Sequence, residues 1–430
     1  MTLEEIYQIF VDHPLVTTDS RKIEAGSIFF ALKGENFNGN LYALTALELG
    51  ASYAIVDDAE FVLNEHILLV ENVLQTLQNL ARLHRQRLRT PILAITGTNG
   101  KTTTKELTAA VLSKKFKLIY TKGNLNNHIG VPLTLLTLQA DTEFGVIEMG
   151  ANHPGEIAEL CNIALPDYGL ITNVGSAHLE GFGSFEGVVQ TKTELYRFIE
   201  QNNGTLFVNN ANPILTRKTG QVKKIGYTTS RAFEGLEGET VSADPLLVFK
   251  VLFPKGWLYL KTNLVGSYNL ENAMAATAIG QYFGIDPTGI ANAIEAYQPE
   301  NNRSQLLVTE RNRLLMDAYN ANPSSMYAAL ENFSRVDAAK KGVILGDMLE
   351  LGAYSREEHQ KIVDFLSTLK LDLVALTGPN YSGCILPESF HRFNDSIELA
   401  DFLKQKHLTD FLLLIKGSRG MKLETIRPEL

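Results

Sequence analysis

The stretch that most constrains this chain runs from Pro91 to Lys105. An apolar run, Pro91-Ile-Leu-Ala-Ile-Thr96, flows into Gly97-Thr98-Asn99-Gly100, then into Lys101-Thr102-Thr103-Thr104-Lys105 and an amphipathic segment. Strand, glycine-bearing turn, helix is the order a phosphate-cradling loop needs. Two glycines let backbone N–H groups converge on an anion with no Cβ in the way. The helix start adds unpaired N–H groups and about half a positive charge at the same point. Lys101 is placed to reach terminal phosphates, and Thr102 to offer its hydroxyl to magnesium. Ile95 stands where the standard loop has its first glycine. An ordinary strand-to-helix turn is the alternative reading, and the flanking patterns favour a nucleotide site.

With 430 residues the chain has length for about three domains. Hydrophobic content of 45% and charged content of 20% leave ample material for a core in each. A net charge of −9 argues against nucleic acid as the main partner. Cys161 and Cys384, the two cysteines, supply neither a disulfide framework nor a metal cluster. The N-terminus lacks a signal-peptide pattern, and no apolar run nears the ~18 residues of a membrane span. The expectation is a cytoplasmic protein, working as a monomer.

Three α/β units follow in order, expected at residues 1–89, 90–300 and 301–430. The first reads as a small α/β domain. It has strands near Leu15–Thr18, Ile28–Leu32, Tyr53–Val56 and Ile67–Val70, and helices at Leu41–Leu49 and Asn72–Leu88. The basic run Ala81–Arg89 reads as a solvated helix face beside a linker. In the second unit, strands alternating with helices imply a parallel sheet, whose ligands sit outside the carboxyl ends of its strands. Gly97–Thr102, Glu148 and His178 all fall at that edge. Leu246–Phe253 and Trp257–Lys261 read as a hairpin appended to the sheet. The third unit reads as a smaller, Rossmann-like doubly wound sheet, with Asp317, Asp347 and Lys416 at strand ends.

Glu148 ends an apolar strand, where a carboxylate needs a partner or a cation. It suits a magnesium ion beside phosphates, or else caps a nearby loop. A lone histidine such as His178 is usually structural, and Lys192 reads by pattern as a surface lysine. The amide-rich loop Gly123–Gly130 suits a polar sugar, nucleotide or peptide, or is a well-bonded turn.

The chain also resembles the Mur ligases of bacterial cell-wall synthesis. The matching blocks, in order and spacing, include Thr18-Asp-Ser-Arg21, Gly97-Thr-Asn-Gly-Lys-Thr102, Gly123-Asn-Leu-Asn-Asn-His-Ile-Gly130 and Glu148-Met-Gly-Ala-Asn-His-Pro-Gly-Glu-Ile157. They continue through Thr172-Asn-Val-Gly-Ser-Ala-His178, Asn269-Leu-Glu-Asn-Ala273, Asp317-Ala-Tyr-Asn-Ala-Asn-Pro323, Leu345-Gly-Asp-Met-Leu-Glu-Leu-Gly352 and Lys416-Gly-Ser-Arg-Gly420. The resemblance implies an ATP-dependent ligase that activates a peptide carboxylate as an acyl phosphate and couples it to an amine. Its most specific blocks, Glu148–Ile157 and Tyr319–Pro323, imply a UDP-muramoyl tripeptide as acceptor of D-alanyl-D-alanine. The third-domain Asp-Asn-Pro-Arg expected of the relative that adds the third residue is absent.

The resemblance also implies roles. Gly97–Thr103 with Lys101 would hold the ATP phosphates. Thr102 and Glu148 would hold one magnesium ion, and His178 a second. Lys192 matches a lysine that is carbamylated into an oxygen ligand. Asn269 and Asn272 match an adenine-binding pair, and Arg303 and Asp317 residues that reach the nucleotide. Ser20, Arg21, Lys33 and Asn38 would grip the uridine end, and Asn126 and Asn127 the sugar-peptide arm. Tyr319, Asn320, Asn322 and the Lys416–Arg419 turn would sit near the incoming dipeptide. A folylpolyglutamate synthase-like ligase is the rival within this architecture. A phosphate-loop switch without ligase chemistry is the rival outside it.

Overall fold

The computed structural model describes residues 1–300 and 302–430. The expected boundary between second and third units falls at residue 301, outside the described residues. Among the described residues no helix is long and apolar enough to cross a membrane.

The first unit carries a four-stranded parallel sheet, in the spatial order Val16–Thr17, Ile28–Phe30, Tyr53–Val56, Ile67–Leu69. Ahead of it lies a helix, Leu3–Asp12, that pattern reading passed over. Thr2 and Glu5 close a reciprocal capping box at its start. The long helix Val73–Leu88 begins where Asn72 accepts the Gln75 N–H at 2.8 Å. Its Val73, Leu77, Leu80 and Ala81 share one core with Val131, Ile157 and Leu160 of the second unit. The basic run is therefore not simply a solvated face. His84 and Arg85 continue the buried stripe at helical spacing. His84 Nε2 contacts the Leu138 carbonyl at 2.9 Å, and Arg85 donates to Asp167 at 2.8 Å. The two units thus share a wall.

The second unit is built on a nine-stranded sheet. Its spatial order from one edge is Gly256–Val265, Leu246–Phe253, Leu236–Ala243, Lys223–Thr228, Thr205–Asn209, Tyr168–Ile171, Ile92–Thr96, Phe144–Glu148 and Leu118–Tyr120. Pairing is parallel from Leu236–Ala243 to Leu118–Tyr120, and antiparallel both within the edge hairpin and where it joins Leu236–Ala243. The hairpin is the outer rim of one continuous sheet. Pattern reading passed over the strands that join it, Thr205–Asn209, Lys223–Thr228 and Leu236–Ala243. The polar stretch Lys223-Lys-Ile-Gly-Tyr-Thr228 carries little strand signal on its own. After Phe144–Glu148 the chain crosses Ile92–Thr96 to form Tyr168–Ile171 on its other side. The strand order reverses there, and that is where a ligand crevice opens in such sheets.

The third unit is a six-stranded sheet, in the order Gln305–Val308, Arg313–Asp317, Phe411–Lys416, Lys340–Gly346, Leu373–Thr377, His391–Phe393. Only the first pairing is antiparallel. Helices Pro323–Arg335 and Ser355–Leu366 cover one face and Ser396–Lys406 the other, a doubly wound arrangement.

At its strand ends lies a buried carboxyl. Asp347 is fully buried, and its Oδ2 accepts the Asn380 N–H at 3.1 Å. Its Oδ1 has no hydrogen-bond partner and lies 3.7 Å from His359 Nε2. That nitrogen already accepts the Met348 N–H at 3.0 Å, so its lone pair, not a proton, is in use. Only a glycine at position 378 leaves room, since a Cβ there would come within 2.3 Å of the carboxyl.

Burial pushes the Asp347 carboxyl up to about 6. Its unfolded value is about 3.9. The folded state thus favours the protonated form, and this group's contribution to stability is lost as pH rises from about 4 through about 6. Asp347→Asn should raise the melting temperature at pH 7.5, by the equivalent of about 1–3 kcal/mol, with little change at pH 4. Calorimetry at the two pH values measures this, and a lower melting temperature at pH 7.5 would contradict it.

Candidate active site

The loop after Ile92–Thr96 is fixed by its neighbour. Gly97 and Gly100 both have positive φ, 142° and 78°, and Gly100 starts the helix Lys101–Leu112. A Cβ at Gly97 would fall 2.0 Å from Thr172 Oγ1. Thr98 N–H donates to the Asn173 carbonyl at 2.9 Å, and Asn99 N–H to Asn173 Oδ1 at 2.9 Å. In return Thr172 Oγ1 donates to the Asn99 carbonyl at 2.6 Å, and Gly175 N–H to Thr98 Oγ1 at 3.0 Å. Phosphate loop and the Thr172–Gly175 segment form one knot. Lys101 folds back, donating to the carbonyls of Gly97 at 2.8 Å and Thr98 at 3.0 Å. Burial pulls its ammonium below the usual lysine range; Glu148 opposes this and Arg303 adds to it.

Glu148 is 1% exposed at the end of the adjacent strand, in register with Ile95. Its Oε1 accepts Asn126 Nδ2 at 2.8 Å and Thr102 Oγ1 at 3.1 Å. Its Oε2 is buried with no hydrogen-bond partner. Lys105, which sequence reasoning did not single out, is fully buried with its Nζ 3.9 Å from that oxygen. It sits one turn beyond Lys101, so its spacing was a signal in plain view.

His178 has φ of 50° and contacts Glu350 of the third unit. Lys192, taken by pattern for a surface lysine, is 2% exposed. It donates to the Ala151 carbonyl at 3.2 Å. Burial holds its amine well below the usual lysine range, with Lys101 pushing the same way and Glu156 and Glu194 opposing. Lys192 Nζ and the His178 ring flank Phe182, at 5.2 and 6.2 Å between centres.

Asn269 and Asn272 pair through a 2.8 Å bond, and Asn272 Oδ1 accepts Thr104 Oγ1 at 3.0 Å. That ties the pair to the phosphate-loop helix. From the third unit come Arg303, stacked 3.4 Å over the Tyr319 ring, and Asp317, paired with Lys416 at 2.6 Å. The Ser304 N–H donates to Asp317 Oδ1 at 3.2 Å. Asn320 Oδ1 accepts its neighbour's N–H, from Ala321, and Asn322 Oδ1 caps the helix Pro323–Arg335.

One cavity of about 920 Å³ gathers most of these groups. Its walls carry Thr98–Thr103, Asn126, Asn127, Glu148 and His178 from the second unit, with Asn269 and Asn272. Arg303, Asp317, Tyr319, Asn320, Asn322 and Lys416 close it from the third. The four uridine-side candidates do not line it. Arg21 pairs with Asp19 at 2.8 Å, and Ser20 lies between them. Lys33 pairs with Asp57 at 2.8 Å, and Asp57 also accepts Asn40 Nδ2, whose partner Asn38 caps the next turn.

Among the described residues no group of three His, Cys, Asp or Glu side chains could hold a metal by itself. A single hard cation nonetheless fits at Glu148. The buried, unpartnered Oε2 and the Thr102 hydroxyl are oxygen donors, and phosphate oxygens supply the remaining positions in such sites.

A phosphate loop at the switch point of one α/β unit, faced by cations from a second, defines a nucleotide-using ligase scaffold. Three Mur ligase family descriptions match successive parts of the chain: the catalytic domain at residues 14–86, the middle domain at 95–280, and the glutamate ligase domain at 302–419. The chain is 33% identical to the UDP-N-acetylmuramoyl-tripeptide–D-alanyl-D-alanine ligase of Bacillus subtilis, over 96% of this chain and 92% of that one. The structure of MurF from Acinetobacter baumannii superposes with a TM-score of 0.89 at 29% identity, covering 100% of this chain and 98% of that one. MurF ligase from Thermotoga maritima, solved in complex with ADP, superposes at 0.85 with 27% identity over 96% of each. The chain belongs to the Mur ligase family.

Gly97→Ala should drive its Cβ into Thr172 and unseat the loop. Misplacement of that order costs about a hundredfold or more in turnover. ATP-dependent phosphate release measures it, and a variant within threefold of wild type would contradict the geometry.

Proposed function

We propose that the chain is the ligase that joins D-alanyl-D-alanine to UDP-N-acetylmuramoyl-tripeptide, consuming ATP and releasing ADP and phosphate. The observation that carries this reading is the single cavity in which phosphate loop, Glu148 and third-unit cations meet. The likeness to D-alanyl-D-alanine-adding ligases along 96% of the chain supports it. The units act as 1–89 for the uridine end, 90–300 for ATP and 301–430 for the incoming dipeptide.

The tripeptide carboxylate attacks the γ-phosphorus of ATP, and ADP leaves. The dipeptide amine then attacks the acyl phosphate, the carbon–oxygen bond to phosphate breaks, and an amide remains. Nothing in this sequence calls for a protein nucleophile. The protein's work is to hold two anions and an amine in line and to offset charge. Lys101 turns from the loop carbonyls to the phosphates. Arg303 and Lys416 approach from the opposite wall. Thr102 and Glu148 would hold a magnesium ion, and His178 with carbamylated Lys192 would hold a second. Bound magnesium supplies charge neutralisation between carboxylate and triphosphate. Asn269 and Asn272 take the adenine, Asp317 reaches the nucleotide, and Asn126 and Asn127 lie along the sugar-peptide arm. Ser20, Arg21, Lys33 and Asn38 hold the uridine end. Tyr319 and Asn320 lie beside the dipeptide.

Carbamylation needs a neutral amine to add to carbon dioxide, and a depressed Lys192 provides one. As pH falls the amine protonates and the carbamate is lost, so activity should decline on the acid side. Enzyme stripped of bicarbonate should lose most of its activity and regain it on addition. A Lys192→Ala enzyme with full activity would remove the carbamate from the account.

The function itself is tested by phosphate release from ATP with the UDP-tripeptide, with and without D-alanyl-D-alanine. Sustained release should require both. Release indifferent to the dipeptide would refute the assignment.

A further inference from the structure

The first turn of the helix Pro323–Arg335 touches the phosphate-loop knot directly. Asn322 Nδ2 donates to Asn99 Oδ1 at 2.8 Å, across 223 residues of sequence. Ser324 Oγ accepts the Ser176 N–H at 3.0 Å. Gly175 lies under the same hydroxyl, and a Cβ there would come within 2.7 Å of it. Asn322 is 8% exposed, and its two side-chain atoms do separate work. Oδ1 accepts the Ser325 N–H at 2.9 Å as the helix cap, while Nδ2 reaches the loop.

Asn99 belongs to one half of the knot, and Ser176 directly follows the other. Asn99 is held by Asn173 Oδ1 and Thr172 Oγ1, and Gly175 by Thr98 Oγ1. The helix therefore grips a surface that exists only when both segments are packed together. Immediately upstream, Asp317, Tyr319 and Asn320 face the cavity from the third unit.

We propose that Asn322 and Ser324 are positioning residues: a latch that lets the third unit close only onto a correctly formed phosphate loop. The proposal rests on the ligase reading. Asn322 then acts through Asn99 rather than by touching the dipeptide. Residues 317–320 and Arg303 reach their substrates when the latch is engaged. The UDP-tripeptide, held by the first and second units, binds whether or not it is engaged.

Three variants separate the latch from a structural role. Asn322→Asp keeps the acceptor that caps the helix but removes the donor and sets a carboxylate oxygen against Asn99 Oδ1. Ser324→Ala removes the acceptor for Ser176 from a position that caps nothing. Gly175→Ala drives a wedge into the contact from the other side. Each should raise KM for the dipeptide and for ATP about five- to tenfold, the effect of one interdomain hydrogen bond. KM for the UDP-tripeptide should stay within twofold. With a non-hydrolysable ATP analogue and dipeptide present, small-angle scattering should show the variants more expanded than wild type. Unchanged dipeptide and ATP KM in Ser324→Ala and Gly175→Ala, or equal rises for all three substrates, would overturn the latch. Wild-type enzyme run alongside tests the ligase reading separately, because its phosphate release must depend on both the tripeptide and the dipeptide.

Discussion

The structure depends on the knot between two neighbouring strand ends. Gly97–Asn99 and Thr172–Gly175 exchange backbone and side-chain hydrogen bonds until neither loop has freedom of its own. A phosphate loop gains from being rigid before its anion arrives, because ordering then costs nothing at the moment of reaction. Here rigidity comes from a neighbouring strand, not from the loop's sequence. That explains how Ile95 is tolerated where a glycine is usual in phosphate loops. Ile95 is a fully buried strand residue in register with Glu148, and the turn begins two residues later.

From that knot the charges follow. Glu148 sits one strand away, with Thr102, Asn126 and Lys105 disposed around its carboxylate. A buried carboxylate with one idle oxygen is expensive unless something positive is due there. Lys105 offsets part of the cost from 3.9 Å, too far for a hydrogen bond. On the facing wall Asp317 holds Lys416, and Tyr319 holds Arg303. Both cations are thus oriented before any phosphate is present.

Much of this was legible in the sequence because the signals are local. A strand–glycine–Lys-Thr–helix order is a property of fifteen residues, and a carboxylate ending an apolar strand declares itself. A helix over Asn72–Leu88, found at Val73–Leu88, and Asp317 at a strand end read correctly for the same reason. What escaped depends on tertiary contact. Lys192 looks like a surface lysine on its own helix, and its burial comes from what packs over it. Arg85 looks solvated until Asp167, some eighty residues on, is brought beside it. Strand Lys223–Thr228 has weak propensity and is held by its neighbours' ladders. The Asn99–Asn322 contact spans two units and has no sequence signature.

The central claim is that this cavity delivers one phosphoryl group to a peptide carboxylate. The most direct test is isotopic. UDP-tripeptide carrying oxygen-18 in its terminal carboxylate is turned over with ATP and D-alanyl-D-alanine, and the released phosphate is analysed by mass spectrometry. Passage through an acyl phosphate transfers one labelled oxygen from each carboxylate to phosphate. Unlabelled phosphate, released alongside amide product, would contradict the account.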